Sequence, residues 1–524
     1  MATRWKWASL PAGVLALWLS YSLNRAPNIP NDGYQYLDAA SNLASGQCLC
    51  TRVALFDEQV AFGHFPIPFT HFAPGYPILI AAAERVGVTG ATAGYLFSAL
   101  GFLAVLWLIQ DIALALGALA WVAAAFSLLW IAHATALLYG SMVGTESLFT
   151  ALLLAVVALI ERDARLRGAS RFLPAGIGVV AGLSYWIRYP GLFLVGAAGV
   201  YLIARAWRFP RARRASVAGL VAAALLTGSV QIRNIFYTGS WRGGFDYSGR
   251  RAPGAVLLGT VRAFSHLITG DRVPVRFDVP MAIFLLSTAL GLFLFIRAWF
   301  VRAGSVRETW VWTLFVGLAY TGGVILASLT TIAGDFPRYF FPVYPLLLIF
   351  TAVICSTVVC SSGAGGLKSL AVVLFVLSAV IVQGRNLFVA PEQPDWIFTR
   401  AILREEVQPG ISFIQWLRKQ DGPDEAIVAV EGQAVHYVVE RPVVAVLPAE
   451  ASARRMDEPG VRSLMLHFHS RYLLLFPDAP ADRVPEQVSS PLLLSLAAGK
   501  VPAWLKPAAH THDAAVYECE DCVK

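Results

Sequence analysis

Apolar stretches long enough to cross roughly 30 Å of hydrocarbon recur from the amino end to about residue 385, and they decide what the chain can fold into. They fall at about residues 7–24, 91–112, 115–137, 144–160, 174–187, 190–206, 215–235, 279–299, 309–332, 340–360 and 367–385, about eleven spans in all. Hydrophobic residues make up 57% of the 524-residue chain and charged residues 14%, against roughly 45–50% and about 25% in soluble domains. That balance excludes an ordinary soluble enzyme, a disordered tail and a disulfide scaffold. The expected fold class is mostly α, a polytopic membrane helical bundle followed by a small carboxy-terminal α/β domain.

Orientation follows from arginine, because short cytoplasmic loops keep positive charge that is hard to translocate. The net charge of +8 therefore points to cytoplasmic loops facing anionic lipid, not to nucleic acid. Clusters stand at Arg162, Arg165, Arg167 and Arg171, then at Arg205, Arg208, Arg211, Arg213 and Arg214, then at Arg297, Arg302 and Arg307. All three share the cytoplasmic side with the amino end if residues 75–88 do not cross. That segment is short and carries Glu84 and Arg85, so a helix lying at the outer surface is expected. The first span follows Arg4 and Lys6 and looks like a signal peptide, but no small-residue cleavage site precedes Asn24-Arg25, so it is expected to remain as an anchor. The expected location is the plasma (inner) membrane, multi-pass, with the carboxy-terminal domain outside the cytoplasm. The loop at about 236–278 is also counted outside although it carries Arg242, Arg250, Arg251, Arg262, Arg272 and Arg276.

The chain thus divides into a membrane domain, residues 1–386, with external loops 25–90 and 236–278, and a polar domain, residues 387–524. In the latter a helix-like stretch at 411–419 alternates with β-branched runs at 426–430 and 442–447, the pattern of a small α/β domain. Cys519-Glu520-Asp521-Cys522 is spaced to close as a disulfide in an oxidising compartment, and Cys48 and Cys50 could pair elsewhere. Cys355 and Cys360 read as buried thiols in an apolar run. His467, His469, His510 and His512 read as solvated.

The densest polar motif is Asn31-Asp32-Gly33-Tyr34-Gln35-Tyr36-Leu37-Asp38, just past the first span. Tyr34, Leu37, Ala40 and Ser41 recur at helical spacing, so a short helix starts here with Asp32 near its cap. Residue type alone makes Asp32 a cap. Its place at the lipid–water boundary, with a low-dielectric wall on one side, is what marks it as a base. His64 follows, then Thr70-His71-Phe72-Ala73-Pro74-Gly75-Tyr76-Pro77, whose prolines and glycine enforce a turn. Glu146 opens a later span, where capping is the plain alternative to a catalytic role. Arg188 and Arg233 stand at the outer ends of spans, where each alone could snorkel. Several around one mouth make a phosphate site. Arg338 begins Arg338-Tyr339-Phe340-Phe341-Pro342-Val343-Tyr344-Pro345, and an interfacial aromatic belt explains the rings but not the arginine.

The order of these motifs resembles the GT-C glycosyltransferases: an acid after the first span, an aromatic Pro-Gly-Tyr-Pro turn, a second acid after the third span, Arg233-Asn234, and Arg-Tyr-Phe near the last spans. The nearest likeness is to glycosyltransferase family 39, the dolichyl-phosphate-mannose-protein mannosyltransferase and lipid A aminoarabinose transferase group, over about residues 1–386. Two positions depart from that pattern, since Gly33 follows Asp32 where an Asp-Glu pair is usual and Glu146 stands where Asp is frequent. The resemblance implies transfer of a single sugar from a polyprenyl-phosphate carrier to a protein, lipid or glycan acceptor outside the cytoplasm, with inversion. Asp32 would then be the base, and Arg338 with Arg233 or Arg188 would stabilise the leaving phosphate. Tyr339, His71, Tyr76 and His64 would line the substrate. Glu146 would position the acceptor, assist the base or join Mg²⁺ or Mn²⁺, although two isolated acids make a poor cage and no essential metal is expected.

Two other readings belong beside this one. A transporter or flippase should carry its charges near mid-membrane, whereas these cluster at span ends. A lipid-linked polysaccharide polymerase or ligase should lack the acid after the first span.

Overall fold

The computed structural model describes residues 2–23, 29–55, 63–167, 169–243, 251–269, 304–330, 336–360, parts of 369–379, 413–420, 422, 425–446, 457–477, 487, 489–511 and 514–523. They group into two compact units, neither continuous in sequence. One comprises Met1–Arg25, Tyr95–Val230 and Arg251–Glu392, and the other Ala26–Gly94, Gln231–Arg250 and Gln393–Lys524. In chain order the helices are α1 (Ala2–Leu23), α2 (Asn31–Ala44), α3 (Gly75–Glu84), α4 (Gly90–Ala115), α5 (Ala120–Ala132), α6 (Ala134–Gly140), α7 (Glu146–Arg165), α8 (Leu173–Ile187) and α9 (Gly191–Arg208). There follow α10 (Arg213–Thr238), α11 (Pro253–Thr269), α12 (Gly304–Ser328), α13 (Phe336–Phe340), α14 (Tyr344–Cys360), α15 (Phe413–Arg418), α16 (Gly432–Val439), α17 (Glu458–His467) and α18 (Pro491–Ala497).

The first unit is a helical membrane bundle. Five described segments are long and apolar enough to cross a bilayer: Gly90–Ala115, Gly191–Arg208, Pro210–Thr238, Glu308–Ser328 and Pro337–Cys360. Helix α1 and the shorter α7 and α8 cover the expected stretches at 7–24, 144–160 and 174–187. The stretch at 279–299 and much of 367–385 lie outside the described residues. Large apolar side chains face outward along these helices, among them Leu225 at 69% and Leu326 at 67% exposure, which is what lipid solvates.

The expected span at 115–137 is two helices bent by 72°. The break is at His133, whose extended backbone ends α5 and caps α6. Its Nδ1 accepts the Ala136 N–H at 3.2 Å while Nε2 meets the Leu267 carbonyl at 2.8 Å. A buried imidazole thus gives one N–H at the break a partner and ties the break to α11. The external loop expected at 236–278 contains α11, opened by Pro253 in its first turn, where the missing N–H is no loss.

Close backbone approach sets the α8–α10 crossing. A Cβ on Gly178 would lie 1.9 Å from the Gly219 carbonyl oxygen, and one on Gly219 would lie 2.2 Å from that of Pro174. Small residues do this in membranes because dispersion, not water exclusion, drives the contact. Toward the carboxyl end of α9, Arg205 is 3% exposed. Its guanidinium holds Asp163, the Ser216 hydroxyl at 3.0 Å and the Ala212 carbonyl at 3.1 Å. It is therefore a packing anchor, whereas Arg208, Arg211, Arg213 and Arg214 in the same cluster are exposed.

The second unit is built on a six-stranded sheet. Strands β1 (Cys50–Thr51), β2 (Val53–Ala54), β3 (Ile67–Pro68), β4 (Ile427–Ala429), β5 (Val443–Ala445), β6 (Tyr472–Leu475), β7 (Lys506–His510) and β8 (Ala515–Glu518) occur in that order. The sheet runs β2-β5-β4-β6-β8-β7, with β2, β5, β4 and β6 parallel and the last two pairings antiparallel. Strands buried on both faces read as continuous apolar runs, as Ile427-Val428-Ala429 does. Strand β2 comes from the segment that the sequence groups with the membrane domain, and Val53 pairs with Val443. Cys48 and Cys50 bond to each other, and Cys519 bonds to Cys522. Among the described residues Cys355 is half-buried and Cys360 exposed, and His467, His469 and His510 are exposed while His512 is outside them.

Helix α2 is locked to this unit through Asp38. Its carboxylate accepts from the Thr51 hydroxyl at 2.9 Å, the Arg52 N–H at 2.6 Å and the Arg52 guanidinium at 3.1 Å, and meets His436 Nε2 at 3.1 Å. Burial alone would raise this carboxyl, but the His436 hydrogen bond and charge, with Arg52, bring it down to about 2. Because the folded value lies below the usual carboxylate range, the stabilisation is present above about pH 4 and is lost as pH falls through about 2, on the order of 2 kcal/mol.

Two variants test these contacts by thermal unfolding of purified protein. Gly178→Leu forces a side chain into a backbone contact and should lower stability by about 3 kcal/mol, the upper end of overpacking. Asp38→Asn should be less stable than wild type at pH 7, with the gap closing between about pH 4 and pH 2. A gap of constant size across that range would refute the ionic role.

Candidate active site

In the first unit three distant chain segments meet at one carboxylate. Glu146 opens α7 and is fully buried. The approach is tight, since a Cβ on Gly101 of α4 would lie 2.5 Å from the Leu148 N. The Ser98 hydroxyl donates to the Gly144 carbonyl at 2.9 Å. Gly144 itself leaves room for the acid, because a Cβ there would be 2.6 Å from Glu146 Oε2.

Two guanidiniums converge on Glu146 Oε1: Arg188 through Nη1 at 2.8 Å and Arg338 through Nε. Arg188 ends α8 and is 9% exposed, and Arg338 lies on α13 with its side chain 19% exposed. The Tyr339 ring covers Arg188, with 5.4 Å from guanidinium carbon to ring centre. Tyr320 of α12 donates its hydroxyl to the Tyr339 carbonyl at 3.0 Å. Tyr320 is a site residue that sequence reasoning misses, since nothing in an apolar span distinguishes one tyrosine.

Glu146 thus gathers two guanidiniums in a largely dry place. Arginine forks fit phosphate. The same donor set does not suit a divalent cation, because Oε1 is engaged by two positive groups. Among the described residues no three His, Cys, Asp or Glu side chains gather as a metal site. Glu146 Oε2 and the hydroxyls of Thr145 and Ser147 are buried without a hydrogen-bond partner, so polar capacity remains at the start of α7.

The remaining predicted residues belong to the second unit. Asp32 stands partly buried in the first turn of α2. Pro30 is the N-cap and no side chain caps the helix, so Asp32 favours the helix dipole without being the cap. Tyr34, Leu37 and Ala40 are buried as their spacing predicts, while Ser41 is exposed. Arg233 donates to the Phe69 carbonyl and, at 3.3 Å, to Asn234 Oδ1, and lies 5.8 Å from the Tyr237 ring centre. His71 is 3% exposed, and burial pushes its imidazole down to about 3, so it is neutral. The Tyr76 hydroxyl is engaged with the Gly94 carbonyl at 2.8 Å, a packing contact. His64 is exposed on its loop.

No protein-family model and no curated protein matches this chain. Solved structures do. ArnT from Cupriavidus metallidurans in the apo state gives a TM-score of 0.57 at 15% identity, covering 98% of each chain. AglB from Archaeoglobus fulgidus, in complex with an inhibitory peptide and a dolichol-phosphate, gives 0.53 at 12% identity over 94% of this chain and 72% of that one. The arabinofuranosyltransferase AftD from Mycobacteria gives 0.55 at 15% identity over 99% of this chain and 40% of that one. ArnT is also similar in its form bound to undecaprenyl phosphate, at a TM-score of 0.53. The chain shares its membrane fold with these proteins.

Proposed function

We propose that the protein transfers a single sugar from a polyprenyl-phosphate carrier to an acceptor, with inversion at the anomeric carbon. One observation carries this reading: Arg188 and Arg338 share a single buried carboxylate oxygen of Glu146. Two guanidiniums held side by side suit a phosphate that gains negative charge as its bond to the sugar breaks. Proteins of the same fold have been solved with undecaprenyl phosphate and with a dolichol-phosphate, which supports a lipid-linked donor.

In this reading the acceptor hydroxyl attacks the anomeric carbon and gives its proton to Asp32. The carbon–oxygen bond to phosphate breaks, and the phosphate leaves with the electron pair. Arg338 and Arg188 hold that phosphate, Glu146 keeps both guanidiniums in place, and Tyr339 shields Arg188 from water. Arg233 assists the carrier, and His64, His71 and Tyr76 shape the surroundings of the substrate. The reading puts the protein in the plasma (inner) membrane, with about eleven spans and a cytoplasmic amino end. Residues 387–524, with the reacting bond, lie on the other side. The acceptor is a protein, lipid or glycan.

Purified protein in lipid nanodiscs, offered a panel of polyprenyl-phosphate sugars and acceptors, tests the reading by mass spectrometry. A hexose or pentose should appear on the acceptor. Asp32→Asn should slow transfer by about 10²–10⁴-fold, the usual worth of a general base, and Arg338→Ala by about 10²–10³-fold. Near wild-type transfer by Asp32→Asn removes Asp32 as the base.

A further inference from the structure

In the second unit one carboxyl of the carboxy-terminal segment is set against the turn that carries Asp32. Glu431 follows β4 and precedes α16, with its backbone in the left-handed region at φ 52°. A glutamate there is uncommon, because its Cβ crowds the backbone, and such geometry persists only where the surroundings enforce it. The next residue begins α16 hard against the sheet, since a Cβ on Gly432 would lie 2.7 Å from the Ala445 Cα.

The sheet order supplies an independent observation. Strand β4 lies between β5 and β6, all parallel. The chain leaves β4 for β5 on one side and then reaches β6 on the other. That reversal makes the carboxyl end of β4 a topological switch point, where open α/β sheets bind their ligands. Glu431 occupies it.

Helix α2 is what meets α16 beside that position. Asn31 donates from Nδ2 to Glu431 Oε2 at 2.7 Å. The rings of Tyr34 and Tyr437 lie 4.7 Å apart, and Asp38 meets His436 Nε2 at 3.1 Å. Positions 31, 34 and 38 share one face of α2, so the three contacts fix its first two turns. Asp32 follows Asn31 in the first of them. Burial raises the Glu431 carboxyl to about 7 against the pull of the Asn31 hydrogen bond, so holding an acid here works against its own hydration.

We propose that Glu431 is a positioning residue for Asp32: by holding Asn31 it sets the first turn of α2, and with it the aim of the carboxylate that takes the acceptor's proton. This rests on the assignment of Asp32 as the base. The carboxy-terminal segment then takes part in the reaction instead of merely covering it.

The test uses the full chain in nanodiscs, with donor and acceptor varied separately. Glu431→Ala removes the hydrogen bond, Asn31→Asp sets two carboxyls against each other, and the pair Asn31→Asp with Glu431→Gln restores the bond with donor and acceptor exchanged. Both single variants should lower kcat by about tenfold or more, as misaimed groups do, with donor KM within about twofold. The exchanged pair should recover kcat to within about threefold of wild type, the coupling expected of two groups in contact. Should Glu431→Ala fail to fold, the comparison of Asn31→Asp with the exchanged pair decides alone. Wild-type kcat in the single variants, an effect confined to KM, or no recovery in the exchanged pair overturns the proposal while the transferase reading stands. A wild-type protein that transfers no sugar from any carrier overturns both.

Discussion

The carboxylate of Glu146 is the interaction that ties three distant segments of the first unit together. A fully buried acid facing a single arginine would be neutralised and inert, a structural pair of the kind that Asp163 and Arg205 form elsewhere in the same unit. At Glu146 two arginines share one oxygen instead. The acid holds both guanidiniums in a fixed place. In the proposed reaction, guanidiniums fixed in this way would stabilise the leaving group without reorganising.

The second unit solves a different problem, which is to hold a short helix steady outside any span. A helix of α2's length is marginal alone in water. Its stability comes from Asp38, gripped by Thr51, Arg52 and His436, and from Tyr34 against Tyr437. The partners come from both ends of the sequence, and β2 adds itself to the edge of a sheet whose other strands all follow residue 426. The segment after the first span is thus part of the carboxy-terminal fold, held there by backbone pairing and by a buried charge cluster.

Much of the helical layout was legible in the residues, because a long apolar run in lipid has few alternatives to a helix. The runs at 426–430 and 442–447 also read correctly as strands, since β-branched residues packed on both faces leave a continuous signature. His133 was not legible as a break: one histidine inside an apolar run looks like an ordinary helical residue until the Leu267 carbonyl is found beside it. Strand β2 escaped notice because two residues carry no periodicity. Glu431 did so because a left-handed glutamate has no sequence mark.

The candidate site divides in the same way. The residue types and their places at span ends, Asp32 after the first span and Arg188, Arg233 and Arg338 at later ones, follow from the sequence alone, because charge is expelled from hydrocarbon and collects at its edges. Which charges meet was decided only by the tertiary structure. Glu146, Arg188 and Arg338 are brought together by helices whose packing depends on small residues and close backbone approach, and such shape complementarity is a property of surfaces in contact, not of any one segment of the chain.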